Sequence, residues 1–158
     1  MLWNHVRPYP PTLVCALAAL ALSCAGAARG GHAESGDIVI SHAVISLPPP
    51  STAAPGFFVL ENRGSTLDTL LAIDSPDADS VAMHTVVGGQ MEPVAMVAVP
   101  TYGKVRFAPG GYHLMIGGLR KPLVVGDTIT LALHFAHAGR VLVGAVTLTY
   151  SEAVSELR

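Results

Sequence analysis

The chain has 158 residues, 51% of them apolar but only 6% aromatic, and a formal net charge of −2. That length suits one domain rather than two, and the near-neutral balance lacks the basic cluster a nucleic-acid-binding surface needs. Both cysteines, Cys15 and Cys24, lie near the N-terminus, so from Gly31 onward there is neither a disulfide staple nor a thiolate ligand.

Residues 1–33 read as a secretory signal peptide. A short basic region with His5 and Arg7 precedes an apolar run from Leu13 to Leu22, and small residues from Ser23 to Ala28 follow. The run is too short to span a bilayer and has the charge and small-residue flank of an export signal. Cleavage can follow Ala-Gly-Ala at 25–27 or Gly-His-Ala at 31–33. A lipoprotein leader is the alternative, because Ala21-Leu22-Ser23-Cys24 places a cysteine where a lipid is attached. Either reading puts the remainder in the periplasm, and no second long apolar run follows. Beyond Gly31 lie all 11 acidic residues but only seven of the nine basic ones.

Residues 34–150 form the expected domain. Ile38-Val39-Ile40 is a first strand candidate, and Ala43 to Leu47 continues or follows it. Pro48-Pro49-Pro50 cannot donate ladder hydrogen bonds and marks a loop or sheet edge. Phe57 to Leu60 is a strand closed by Glu61-Asn62-Arg63-Gly64, and Thr69 to Ile73 is another, broken at Ser75-Pro76-Asp77. Val81 to His84 is strand-like before Gly88-Gly89 turns the chain towards Met91. Val94 to Val99 and Lys104 to Phe107 follow. Pro109-Gly110-Gly111 turns into Tyr112-His113-Leu114-Met115-Ile116. Thr128 to His134 and Val141 to Tyr150 close the series. Residues 151–158 are expected as a polar, mobile tail. No segment sustains a 3.6-residue apolar period, and short strands with Gly/Pro punctuation indicate an all-β sandwich or barrel.

Met83, Met91, Met96 and Met115 lie between residues 83 and 115 with His84 and His113. On a strand, His113 and Met115 project from one face while Leu114 points to the other, and Gly110-Gly111 leaves the surface before them open. His84 and Met91 flank a glycine turn, so a hairpin brings them together. Two imidazoles and two thioethers suit d¹⁰ Cu(I). Thioethers also suit an oxidising compartment, where paired thiols become disulfides. Met83, alternating with His84, is expected to fill the core, as is Met96, which shares a strand face with Val94 and Ala98. His42, His134 and His137 stand without a sulfur partner and read as surface or hydrogen-bonded histidines. Tyr112 reads as packing beside the site. Asp74, Asp77 and Asp79 lack the glycine and closing glutamate of a calcium loop and read as a solvated turn.

These residues resemble the motif of PCu(A)C-type periplasmic copper chaperones: a His, a Met, then His-x-Met. The 21 residues between Met91 and His113 match that family's spacing, and Met91-Glu92-Pro93-Val94 and Pro109-Gly110-Gly111-Tyr112 are similar to its flanking segments. Likeness continues through Phe57 to Gly64, Leu119 to Thr128 and Leu133 to Gly139, and spans residues 37 to 150. Only six residues separate His84 from Met91, where the family pattern has ten. Losing two residues from each arm of a hairpin keeps side-chain parity. The resemblance implies a cupredoxin-like Greek-key β-sandwich, metal ligands His84, Met91, His113 and Met115, and a non-enzymatic Cu(I) carrier. Its implied partner is a copper-accepting oxidase subunit, at the dinuclear copper site of cytochrome c oxidase, or another copper chaperone. A monomer with no membrane span is expected.

Two other functions compete. A periplasmic copper buffer or resistance protein would use the same ligands, and a β-sandwich interaction module would bind no metal. Blue-copper electron transfer needs a Cys thiolate with two His, and covalent haem attachment needs Cys-x-x-Cys-His; the domain has no cysteine for either.

Overall fold

The structure, a computed structural model, describes residues 30–47 and 53–158. The expected leader up to residue 29, its Cys15 and Cys24, and Pro48-Pro49-Pro50 lie outside the described residues. Eleven strands and one helix follow in order: β1 (Gly31–Ser35), β2 (Ile38–Ser46), β3 (Ala54–Asn62), β4 (Asp68–Asp74), β5 (Ala78–Val87), β6 (Gln90–Pro93), β7 (Val97–Val99), β8 (Gly103–Phe107), β9 (His113–Leu119), β10 (Thr128–Phe135), β11 (Arg140–Leu148) and α1 (Tyr150–Glu156).

The strands form one hydrogen-bonded path, β6-β5-β9-β3-β2-β11-β10-β4-β7, with β1 added to β2 and β8 to β3. Among the strands of the described residues only the β2–β11 pair is parallel. The path wraps around a single large core. Ile40 and Ile45 of β2, Phe58 and Leu60 of β3, Leu70 of β4, Met83 of β5, Leu114 and Ile116 of β9, and Leu131 and Leu133 of β10 all pack into it. Burying so many branched aliphatic side chains supplies the main favourable term for folding. Phe107 and Phe58 stack at 4.2 Å between ring centroids.

Strand β2 joins the two sequence segments 38–40 and 43–47 through a bulge. The register to β3 shifts between Ser41 and Val44, and His42 sits there with φ of 54°. An extra residue reverses the alternation. Ile38 and Ile40 therefore face the core before the bulge, and Ala43 and Ile45 face it afterwards. Val44 is turned to the outer face, where it meets Phe57, Leu148, Ala153 and Leu157 in a second, smaller cluster.

That cluster corrects the expectation of a mobile tail at 151–158. Residues Tyr150–Glu156 form a helix with a capping box. The Thr149 hydroxyl accepts from the Glu152 backbone N–H, and the Glu152 side chain accepts from the Thr149 N–H. Each such cap satisfies donors that the first turn would leave unpaired. Ala153 and Leu157, four residues apart and so on one helical face, are buried against the outer face of β2, β3 and β11. The Glu156 carboxylate lies 3.2 Å from His42 Nδ1 and accepts from the Gly30 N–H at 3.0 Å.

Strand β1 starts at Gly31 and pairs with β2 from Ala43 to Ile38. The alternative cleavage after Ala33 therefore falls inside a strand, and Ala33 itself packs on the core.

Asp68 fastens the start of β4 to the turn after β10. Its carboxylate, only 4% exposed, accepts from the backbone N–H groups of Thr69 at 2.7 Å, His137 at 2.9 Å and Ala138 at 2.9 Å. Burial pushes the carboxyl pKa up, but the backbone donors at His137, Ala138 and Thr69, with the His137 charge, outweigh it. The net result holds the group below the usual carboxylate range.

Candidate metal centre

Strands β6, β5 and β9 make a three-strand ladder that positions all four expected ligands. In the β5–β9 register His84 stands opposite His113, Met83 opposite Leu114 and Ala82 opposite Met115. In the β5–β6 register Val86 stands opposite Met91 and His84 opposite Pro93. Side chains two apart on a strand, and those directly opposite across a ladder, share a face. His84, Met91, His113 and Met115 therefore all project from one side, with Ala82, Val86 and Pro93 between and beside them. No charged side chain belongs to that set.

The opposite side of the same ladder is core, where Met83 is 6% exposed beside fully buried Leu114. The expectation that alternation sends Met83 inward and His84 outward describes what is found. Met96 differs. It is 60% exposed, because β7 begins only at Val97 and turns Val97 and Val99 to the core. The strand expected from Val94 is thus shorter, and Met96 is a surface residue rather than core filler.

The two imidazoles stack, with centroids 5.9 Å apart and planes 24° apart. His113 is 7% exposed, and its Nδ1 lies 2.9 Å from the Gly111 carbonyl oxygen. When Nδ1–H donates to that carbonyl, the free lone pair is on Nε2. A hydrogen bond of this kind fixes the ring orientation of a metal-ligating histidine. Gly111 takes up that position in a turn in which its own N–H donates to Ala108 O at 3.0 Å, and the Ala108 N–H donates to Tyr112 O at 2.7 Å. The sequence motif Pro109-Gly110-Gly111 thus does more than leave the surface open, because it aims a carbonyl at His113. Nothing in the residue types alone distinguishes that role. Tyr112 packs on Phe107 at 5.6 Å, behind the turn.

His84 Nδ1 is buried and has no hydrogen-bond partner. Buried polar atoms are nearly always satisfied, so an orphan nitrogen on one of two opposed imidazoles fits a metal-binding role. Among the described residues there is no group of three or more His, Cys, Asp or Glu placed to hold a metal. Beside the two imidazoles, the thioethers of Met91 and Met115 are the soft donors that project from this face. Met91 is 55% exposed and His113 7%, while His84 and Met115 are half-buried, so Met91 is the most open of the four.

The remaining candidates are spread apart. His42 meets Glu156, and His134 Nε2 meets Asp74 at 2.5 Å. His137 contributes its backbone N–H to Asp68. Asp77 accepts from the Thr130 N–H at 2.9 Å, and Asp79 pairs with Arg120 at 3.9 Å. The three aspartates 74, 77 and 79 thus have separate partners and form no common cation cage.

The fold and the ladder define the class: an all-β, cupredoxin-like domain of the PCuAC type. The copper-bound PCuAC domain from PmoF2 superposes with a TM-score of 0.66 at 26% identity, covering 75% of this chain and 97% of that domain. The solution structure of CuI-DR1885 from Deinococcus radiodurans gives 0.59 at 25% identity, covering 68% of this chain and 76% of that protein. The chain belongs to the LpqE-like family of putative lipoproteins, whose pattern matches residues 38–147. Putative lipoprotein Lxx21020 of Leifsonia xyli subsp. xyli (strain CTCB07) is 30% identical over 82 residues, 49% of this chain and 49% of that protein. The chain thus spans about half the length of that curated relative. Among the described residues no helix is long and apolar enough to cross a membrane.

Proposed function

We propose that this protein is a periplasmic copper chaperone that binds Cu(I) through His84, Met91, His113 and Met115. The observation that carries the reading is the placement of two opposed imidazoles and two thioethers on one face of β6-β5-β9. Soft sulfur with neutral imidazole favours a d¹⁰ ion, which needs no square-planar field. Copper here is cargo: it is accepted and released by ligand exchange, and no bond of a substrate is made or broken. A half-exposed thioether at the sheet edge suits such exchange, because an incoming ligand can approach without unfolding the site. The acceptor is the dinuclear copper site of a cytochrome c oxidase subunit or another copper chaperone. The protein works as a monomer, held at the membrane by a lipid on Cys24 or released by signal cleavage.

Anaerobic Cu(I) titration against a competing chelator tests the site. His113→Ala with Met115→Leu should abolish competition while the thermal melt stays cooperative. Equal affinity in both proteins would sink the ligand assignment. Delivery is tested separately by the copper content of the oxidase in a deletion strain at low copper supply, where an unchanged value would identify a buffer instead.

A further inference from the structure

The four methionines of the domain differ sharply in access. Met83 is 6% exposed, Met91 55% and Met96 60%, while Met115 is half-buried. Met91 alone is both widely open to solvent and on the His84–His113 face. It sits on β6, the end strand of the hydrogen-bonded path, paired on one flank only, and all four residues of that strand are exposed.

We propose that Met91 is an oxidation site, at which a hydroperoxide or hypohalous acid converts the thioether to a sulfoxide and switches copper binding off. The inference rests on Met91 being a ligand, as proposed above. With hydrogen peroxide, the sulfur lone pair attacks one peroxide oxygen. The S–O bond forms as the O–O bond breaks, and proton transfer to the departing oxygen releases water. Sulfur loses two electrons and the peroxide gains them. The product offers a hard oxygen in place of a soft sulfur, which Cu(I) disfavours. Thiol-dependent sulfoxide reduction reverses the change, so the same side chain is a two-way switch. Exposure governs this chemistry in methionines as in cysteines, and the molecule carries its own controls. Met96 is equally open but lies outside the β6–β5–β9 ladder, and Met83 is enclosed by the core.

The test uses metal-free protein, limiting hydrogen peroxide, removal of the oxidant, peptide mass spectrometry and then anaerobic Cu(I) competition. Met91 and Met96 should oxidise well before Met83. Wild type and Met96→Leu should then bind Cu(I) at least about tenfold more weakly, since even losing a group that only supports a ligand costs that much. Met91→Leu, weaker from the start, should lose nothing further. Silver(I), a soft ion without redox chemistry here, should shield Met91 from peroxide but not Met96. Met91 reacting no faster than Met83 would overturn the switch and leave the site standing, whereas a Met91 sulfoxide with undiminished affinity would overturn the switch and remove Met91 from the ligand set. Failure of the untreated protein to bind Cu(I) would overturn both.

Discussion

Replacing Asp68 with asparagine should destabilise the fold by an amount set by its three backbone donors. Thr69 and His137 donate to Oδ1 and Ala138 donates to Oδ2, all at a side chain that is 4% exposed. Hydrogen bonds to a charged acceptor contribute about 1.5–3 kcal/mol each. Asparagine keeps one carbonyl oxygen for Thr69 and His137, without the charge, and opposes an NH₂ group to the Ala138 N–H. One lost and two weakened bonds give a loss of roughly 2–3 kcal/mol, a large share of a typical domain's stability. Urea denaturation followed by circular dichroism should show the midpoint falling by about 1 M with the slope unchanged. The pH dependence supplies an independent check. The folded-state pKa of Asp68 is depressed below its unfolded value of about 3.9, so its charge stabilises the fold above that pH. The contribution fades as pH falls through the folded pKa, and wild type should approach the variant below pH ~4. A gap under about 0.5 kcal/mol at pH 7, or one of equal size at pH 7 and pH 2.5, would refute the account.

Two shorter predictions concern the helix and the hairpin. Leu157→Ala should cost about 2–3 kcal/mol in urea denaturation, because Leu157 is 6% exposed and fills the small cluster under α1; a change within 0.5 kcal/mol would mean that the tail is loose after all. Inserting one serine between Gln90 and Met91 should turn Met91 to the opposite face and weaken Cu(I) binding, whereas inserting two should restore it, as read by chelator competition.

Lys104-Val105-Arg106-Phe107 was readable as β8 because its alternation is unambiguous, with charged residues out and Phe107 fully buried. Val94 to Val99 was not, because both faces of that segment are apolar and alternation cannot say which side is inward. Met96 was misplaced for that reason. The β2 bulge hides in the sequence as two separate apolar runs, since a single residue at positive φ leaves no periodic trace. Helix α1 escaped notice because seven residues are too few to display a helical period. Its signal was nevertheless present, as a threonine three residues before a glutamate and an alanine four residues before a leucine. Among the site residues, side-chain parity was legible and hydrogen bonding was not. The Gly111 carbonyl that orients His113 is a backbone group, which every residue carries, so only geometry reveals it.

The shortened hairpin between His84 and Met91 shows why parity survives a change in length. Gly88 and Gly89 form a two-residue turn, with φ of 59° and 82°, the pattern of the hairpin turns that need positive φ at both centres. Val87 then pairs with Gln90 and Val86 with Met91. With a two-residue turn fixed, Met91 shares the face of His84 whenever the number of intervening residues is even, because the two arms then differ in length by an even number. Six and ten both satisfy that condition. The register also fixes where the sulfur lies along the strand. Met91 stands opposite a position two residues beyond His84 rather than opposite His84 itself, at the exposed end of the ladder. That position keeps the thioether on the imidazole face and leaves it the most accessible of the four proposed ligands, at 55% exposed. The length of this hairpin therefore decides both which face the Met91 sulfur occupies and how open it is to solvent.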